Sequence, residues 1–200
     1  MNMLMAIIIS YLIGSIPFGY LVTRIWKGID IRDLGSGNIG ATNVWRNLGP
    51  AAGLLALAGD IGKGVLAVIL AKSLGNETTV LLASLAVLAG HSYPVFLNFK
   101  GGKMVATGLG VLLATNSTTP IVALVAFLIW LLFVGVSRYV SLGSIAAAVS
   151  VSITMLVLKE PWQVLVFGFT ASVLAIYKHS SNIKRLLNGT ENKIVFKNKK

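Results

Sequence analysis

The residues able to do chemistry in this chain are crowded into a few short polar segments between long apolar runs. The richest is Gly35-Ser36-Gly37-Asn38-Ile39-Gly40-Ala41-Thr42-Asn43-Val44-Trp45-Arg46. Glycines leave backbone N–H donors accessible, the hydroxyls and amides of Ser36, Thr42, Asn38 and Asn43 add more, and Arg46 supplies a cation. Such a set is suited to holding phosphate. Gly35, Gly37 and Gly40 spell Gly-x-Gly-x-x-Gly, but no strand precedes them and no βαβ unit surrounds them, so a dinucleotide fingerprint is excluded. A Walker A loop is excluded too, since no Gly-Lys-Ser/Thr follows. What remains is a glycine-rich turn entering a helix whose first N–H groups favour an anion. The bland alternative is a flexible connector, and the density of polar residues weighs against it.

A second segment runs from Gly90 and His91 to Lys100-Gly101-Gly102-Lys103. Two ammonium groups bracketing two glycines make a compact anion cradle, although alone they are explained better as a positively charged membrane anchor. His91 falls at the end of an apolar run, where a functional ionisable group and a histidine bonded to a neighbouring helix are equally good accounts. Asp60 and Lys63, three apart in another apolar run, are placed to neutralise each other on a helix. Arg138, Ser141 and Ser144 open a further helix. In the tail, His179 and Asn182 share one helical face, and a histidine there can serve as acid, base or donor near neutral pH. Lys184 and Arg185 follow on a basic helix suited to anionic headgroups.

The elements that must position these groups are set by composition. Of 200 residues, 56% are hydrophobic and only 12% charged, about half the charge of a soluble domain. The expected fold is therefore all-α, a polytopic integral membrane protein. There is no cysteine, which excludes thiolate catalysis, disulfides and cysteine-ligated metal. With two histidines and few carboxylates no metal site is expected. The net charge of +11 lies in loops and tail, where it sets orientation and meets anionic lipid, so nucleic acid is not an expected partner. The first run lacks a basic leader and a small-residue cleavage site, and is expected to be a retained span rather than a signal peptide.

Apolar runs at 3–23, 51–71, 79–97, 104–115, 120–136, 142–158 and 162–176 are the candidate spans. The fourth is too short to cross alone; it either borrows residues from its flanks or is re-entrant. Seven crossings put Arg24, Lys27, Arg32, Arg46, Lys100, Lys103 and Arg138 on one side with the tail's cations from Lys178 to Lys200, leaving Lys72 and Lys159 opposite. The positive-inside bias favours that count, with the N-terminus outside and the C-terminus cytoplasmic. The expected location is the inner (cytoplasmic) membrane, multi-pass, with the site facing the cytoplasm. The chain reads as one membrane-embedded domain over 1–200, with a cytoplasmic glycine-rich loop at 24–50 and a cytoplasmic basic tail at 177–200.

Four motifs, in order and spacing, resemble those of the bacterial integral-membrane acyl-phosphate:glycerol-3-phosphate acyltransferases. They are the loop ending at Arg46, Asp60-x-x-Lys63-Gly64, Gly90-His91 through Lys103-x-Val105-Ala106-Thr107, and His179-x-x-Asn182-Ile183-x-Arg185-Leu186 followed by Gly189-Thr190-Glu191. The sequence departs from the pattern at Met104, where glycine is usual, and at Ser180, where arginine is common. The resemblance implies transfer of a fatty acyl group from acyl phosphate to the 1-hydroxyl of glycerol 3-phosphate, giving lysophosphatidic acid and inorganic phosphate in the first step of phospholipid synthesis. It implies no cofactor, and a functional link to the enzyme that makes acyl phosphate. It also implies that Ser36, Thr42, Asn43, Arg46, Lys103 and Ser141 surround phosphates and that His179 and Asn182 meet glycerol 3-phosphate.

Combined with the residue chemistry, this marks Ser36, Lys103, His179 and Asn182 as catalytic candidates. Gly37, Asn38, Thr42, Asn43, Arg46, Lys100, Gly101, Gly102, Ser141, Lys184 and Arg185 are the substrate-binding candidates. The hydroxyl proton can leave to His179 or to a substrate phosphate, and the second is preferred because no carboxylate is evidently placed for the task. A transporter of a phosphorylated metabolite or lipid is the alternative function. Polar residues at mid-membrane depth on several spans and inverted repeats would mark it, and here the polar residues crowd one face.

Overall fold

The computed structural model describes residues 2–194; the tail cations Lys197, Lys199 and Lys200 lie outside them. Within the described residues the regular structure is entirely helical. The helices are α1 (Asn2–Ser15), α2 (Phe18–Lys27), α3 (Ala41–Leu48), α4 (Pro50–Leu74), α5 (Glu77–Ser92), α6 (Val105–Ala114), α7 (Thr119–Ser137), α8 (Val140–Val157), α9 (Trp162–Lys178) and α10 (Ser180–Leu187), with short 3-10 turns at Ile31–Asp33 and Val95–Leu97. They form two compact units, Met1–Thr119 and Pro120–Lys200.

Local chemistry sets the boundaries. Pro17 has no N–H to continue α1 and breaks the first run into α1 and α2. Gly28 ends α2 in the left-handed region at φ 69°, and Pro50 occupies the first turn of α4, where its missing donor does no harm. Asn76 caps α5 by accepting from Thr79 N at 3.1 Å, and Asn116 caps α7 by accepting from Thr119 N at 2.8 Å.

Among the described residues, five stretches are long and apolar enough to cross a bilayer: Asn2–Lys27, Pro50–Leu74, Glu77–Leu97, Thr119–Ser137 and Val140–Val157. The pair α9 and α10, bent by 56° at His179, makes a sixth if counted as one broken span. The fourth run is the ten-residue α6, about 15 Å long at the α-helical rise, half of the hydrocarbon thickness.

Small residues let these helices approach closely, the usual packing device where lipid removes the hydrophobic drive. On α1, Ala6, Ser10 and Gly14 are buried at four-residue spacing, and a Cβ at Gly14 would collide with the Val87 backbone of α5. Likewise Gly64 of α4 lies against the Thr107 carbonyl of α6, and Gly110 against that of Ile61. In the second unit, Ser172 Oγ of α9 donates to Ala148 O of α8 at 2.7 Å, and Ser152 Oγ donates to Ser172 Oγ at 3.0 Å. The first polar loop is anchored separately: Ile31, Ile39, Val44, Ala52, Ala56 and Leu97 form a buried cluster beneath it.

Candidate active site

In the first unit, the 35–46 loop is organised by one side chain. Asn43, buried at 3% exposure, accepts from Ser36 N through Oδ1 at 3.1 Å. Its Nδ2 donates to the carbonyls of Leu34 and Asn38 at 2.9 Å and of Ile31 at 3.3 Å. Asn47 Nδ2 donates in turn to Asn43 O and Oδ1. The amide of Asn43 is thus committed to the loop's own backbone. Gly37 N donates to Leu34 O and Gly40 N to Asn38 Oδ1. Three of the backbone donors expected to face an anion therefore bond within the loop. The turn needs left-handed backbone at Gly35 (φ 57°) and Gly37 (φ 67°), which glycine adopts without strain. Its outward chemistry comes from the exposed Ser36 and Arg46 and the half-buried Thr42, with Arg46 one turn beyond Thr42 on α3. The loop's entry is braced by Arg32, which grips Asp30 at 2.6 Å and lies over the Tyr20 ring. That guanidinium holds the Asp30 carboxyl below the usual carboxylate range.

The Lys100-Gly101-Gly102-Lys103 segment crosses the end of α5. Gly102 N donates to His91 O at 3.0 Å. A Cβ at Gly102 would strike the His91 imidazole, and one at Gly101 would strike His91 O and Pro94. These glycines therefore answer to close approach, where the sequence had pointed to a flexible cradle. Lys100 is exposed and Lys103 half-buried. Asp60 and Lys63 pair at 2.7 Å, with Lys63 Nζ donating also to Ile16 O at 2.8 Å, so the pair steadies the α1–α2 break. Met104 caps α6 at φ 53°, a left-handed conformation costing a non-glycine residue roughly 1–2 kcal/mol. This is the physical reason for glycine being the usual residue there.

In the second unit, Ser141, Asn182 and Arg185 converge on a residue to which the sequence assigned no role. Glu191 Oε1 accepts from Asn182 Nδ2 at 2.8 Å and from Ser141 Oγ at 2.9 Å, and Oε2 accepts from Arg185 Nε at 2.7 Å. Gly189, at φ 69°, ends α10 and turns the chain back. Ile194 N then pairs with Arg138 O at 2.8 Å, and Lys193 lies over the Tyr139 ring. Burial of Glu191 pushes its carboxyl up, but the bonds from Asn182, Arg185 and Ser141 outweigh that and hold it below the ordinary range. The available signal was an acidic residue beside a turn glycine in a basic tail.

His179, 3% exposed, is the hinge between α9 and α10. Its Nδ1 lies 2.8 Å from Ala175 O. A carbonyl only accepts, so Nδ1 carries the proton and the lone pair of the neutral ring is on Nε2. Asn182 follows one turn later on α10, and Lys184 is exposed. Among the described residues no group of three or more His, Asp or Glu is placed to hold a metal.

A family model described as glycerol-3-phosphate acyltransferase matches residues 4–189. The chain is 56% identical to a glycerol-3-phosphate acyltransferase of Desulforamulus reducens, covering 95% of this chain and 94% of that one. It is 48% identical to one of Carboxydothermus hydrogenoformans, covering 96% of each. Its structure is similar to crystal structures of PlsY (YgiH), an integral membrane glycerol 3-phosphate acyltransferase. The glycerol 3-phosphate form matches with a TM-score of 0.91 and 44% identity over 98% of this chain and 96% of that one. The lysophosphatidic acid form matches at 0.89 and 43% over the same shares. The long apolar helices and this likeness make the chain a multi-pass membrane protein. With a match across nearly its whole length and relatives at this identity, the chain belongs to the glycerol-3-phosphate acyltransferase family.

Proposed function

We propose that this protein transfers a fatty acyl group from acyl phosphate to the 1-hydroxyl of glycerol 3-phosphate, releasing lysophosphatidic acid and inorganic phosphate. The observation that carries this reading is that every candidate site residue, from Ser36 to Arg185, falls inside the matched span 4–189. The donor is an acyl phosphate supplied by a separate enzyme. The chain crosses the inner membrane seven times, with the N-terminus outside and the site facing the cytoplasm. The charge distribution supports this, because a non-crossing α6 would send Arg138 and the tail cations to the outside.

An acyl phosphate is a mixed anhydride, so its phosphate leaves readily and no acyl-enzyme is required. The glycerol hydroxyl oxygen attacks the acyl carbonyl, the C–O bond to phosphate breaks, and the hydroxyl proton passes to a substrate phosphate oxygen. Ser36, Thr42, Arg46, Lys100 and Lys103 offset phosphate charge. Gly37 and Asn38 shape the loop that presents Ser36, and Gly101 and Gly102 the segment that carries the two lysines. His179, Asn182 and Ser141 position glycerol 3-phosphate. Lys184 adds positive potential, and Arg185, paired with Glu191, holds the carboxylate that orients Asn182 and Ser141. Correct positioning of two bound reactants contributes roughly 7–11 kcal/mol at best.

The purified full-length protein in detergent is expected to release inorganic phosphate from palmitoyl phosphate only when glycerol 3-phosphate is present, and to leave palmitoyl-CoA intact. No release across acyl chain lengths and pH values would overturn the assignment. If a substrate phosphate takes the proton, His179→Ala raises KM for glycerol 3-phosphate and lowers kcat by less than the ~10²-fold of a lost general base. Loss of turnover with glycerol 3-phosphate still bound would make His179 the base instead.

A further inference from the structure

His91 is assigned no role by the reaction above, yet it is held from two sides. Its ring is 3% exposed, within a buried group that includes Asp60 at 2% and Lys63 at 3%. Nδ1 lies 3.4 Å from Asp60 Oδ1, the same oxygen that pairs with Lys63 Nζ at 2.7 Å. The opposite edge of the ring, Nε2 with Cε1 and Cδ2, faces Gly102 so closely that no Cβ fits between them. The main-chain carbonyl of His91, near the end of α5 where carbonyls lack helical partners, accepts from Gly102 N at 3.0 Å.

Lys63 already neutralises Asp60, and Lys63 is itself bonded to Ile16 O. Charge balance therefore gives no reason for an imidazole here, and an apolar side chain would fill the same space. What an imidazole adds is a fixed plane: a carboxylate orients one nitrogen while the other edge bears on the glycine backbone. This is the arrangement by which second-layer carboxylates orient histidines at other sites.

We propose that His91 is a positioning residue for phosphate binding: held by Asp60, its imidazole and main-chain carbonyl lock the Gly101-Gly102 backbone and so set the positions of Lys100 and Lys103. The inference rests on the reading that these lysines bind substrate phosphate. The buried Asp60–Lys63 pair thereby supports both the helix break at Ile16 and, through His91, the lysine segment. Side-chain reach separates the two edges of the ring. Asparagine reproduces the Nδ1 position and keeps the contact with Asp60, but leaves nothing against Gly102. Glutamine reaches to where Nε2 lies.

The test is steady-state kinetics and thermal unfolding of the purified full-length protein carrying His91→Asn, His91→Gln, Lys103→Ala, Gly102→Ala, or Gly102→Ala combined with His91→Ala. Because displacement of a binding group by about 1 Å can cost ~10²-fold, His91→Asn is expected to raise KM for one of the two phosphate substrates about tenfold or more. Its kcat and unfolding temperature should stay close to the parent's, and His91→Gln should recover much of the loss. Gly102→Ala should be more damaging alone than with His91→Ala, because removing the ring makes room for the new methyl group; such coupling is the mark of a direct contact. His91 variants that lower unfolding temperature and kcat together with no change in KM would overturn the proposal. So would a Gly102→Ala defect that is the same with and without the ring. If Lys103→Ala leaves both KM values unchanged, the phosphate reading of the segment fails; if it raises one while the His91 variants do not, only the role of His91 fails.

Discussion

Glu191→Ala is expected to lower kcat/KM by about a hundredfold or more, the scale set by misplacing binding groups by about 1 Å. Ser141 comes from α8 and Asn182 and Arg185 from α10, and the Glu191 carboxylate is their common acceptor. Its side chain is 5% exposed, so truncation leaves an amide N–H and a guanidinium N–H facing a cavity. Glu191→Gln is the more informative change. The amide oxygen can still accept from Asn182 and Ser141, but the NH2 group faces Arg185 donor to donor, so an intermediate loss is expected.

Acid should act on the same group. The folded pKa of Glu191 is depressed, so its contribution is fully present above the unfolded glutamate value of about 4.3 and is lost as pH falls through the lower folded value. Protection from hydrogen exchange over 180–194, taken relative to the intrinsic exchange rate at each pH, should therefore be constant above that window and fall below it, and Glu191→Gln should remove the dependence. Parent-like kcat/KM in Glu191→Ala would show that Asn182 and Arg185 are held by other means.

Apolar run length and punctuation made much of the helical plan legible in the sequence, because burying backbone in lipid leaves helices as the simplest solution. The Asp60–Lys63 pair followed from helical spacing alone. Four features did not. The ten residues of α6 carry no mark of whether their flanks complete a crossing. Residue type says that Asn43 is polar but not which way its amide points, so its bonds to the loop's own backbone were not legible. The partnership of Ser141 with Glu191 spans 50 positions, beyond any local pattern, and it exists only because Gly189 reverses the chain. The two glycines between Lys100 and Lys103 were legible as glycines but not as sites of close packing, since it is the turn after α5 that brings them back against the carbonyl and ring of His91 on that helix.

The largest loss in the first unit is expected from Asn43, and it separates organiser from ligand. In Asn43→Ala, the carbonyl of Asn38 and the N–H of Ser36 lose their partner at once, while the carbonyls of Ile31 and Leu34 lose one of two bonds and keep the N–H groups of Leu34 and Gly37. Each buried polar group left unsatisfied costs about 1–3 kcal/mol, and solvent can reach the outer part of the loop, so a total of about 3 kcal/mol or more is expected. That is enough to populate an open loop in which Ser36 is no longer held in place, and kcat/KM should fall by about a hundredfold. Asn43→Asp should be no better despite its matching shape. A carboxylate keeps the bond to Ser36 N but cannot donate, and it sets negative charge against three carbonyl oxygens. A residue that simply touched phosphate would raise KM on truncation and leave the backbone as ordered as before. For Asn43 the expected signature is faster hydrogen exchange across 31–40 in the substrate-free protein, incompletely restored by saturating glycerol 3-phosphate. Unchanged exchange with a raised KM would assign the side chain to the substrate instead.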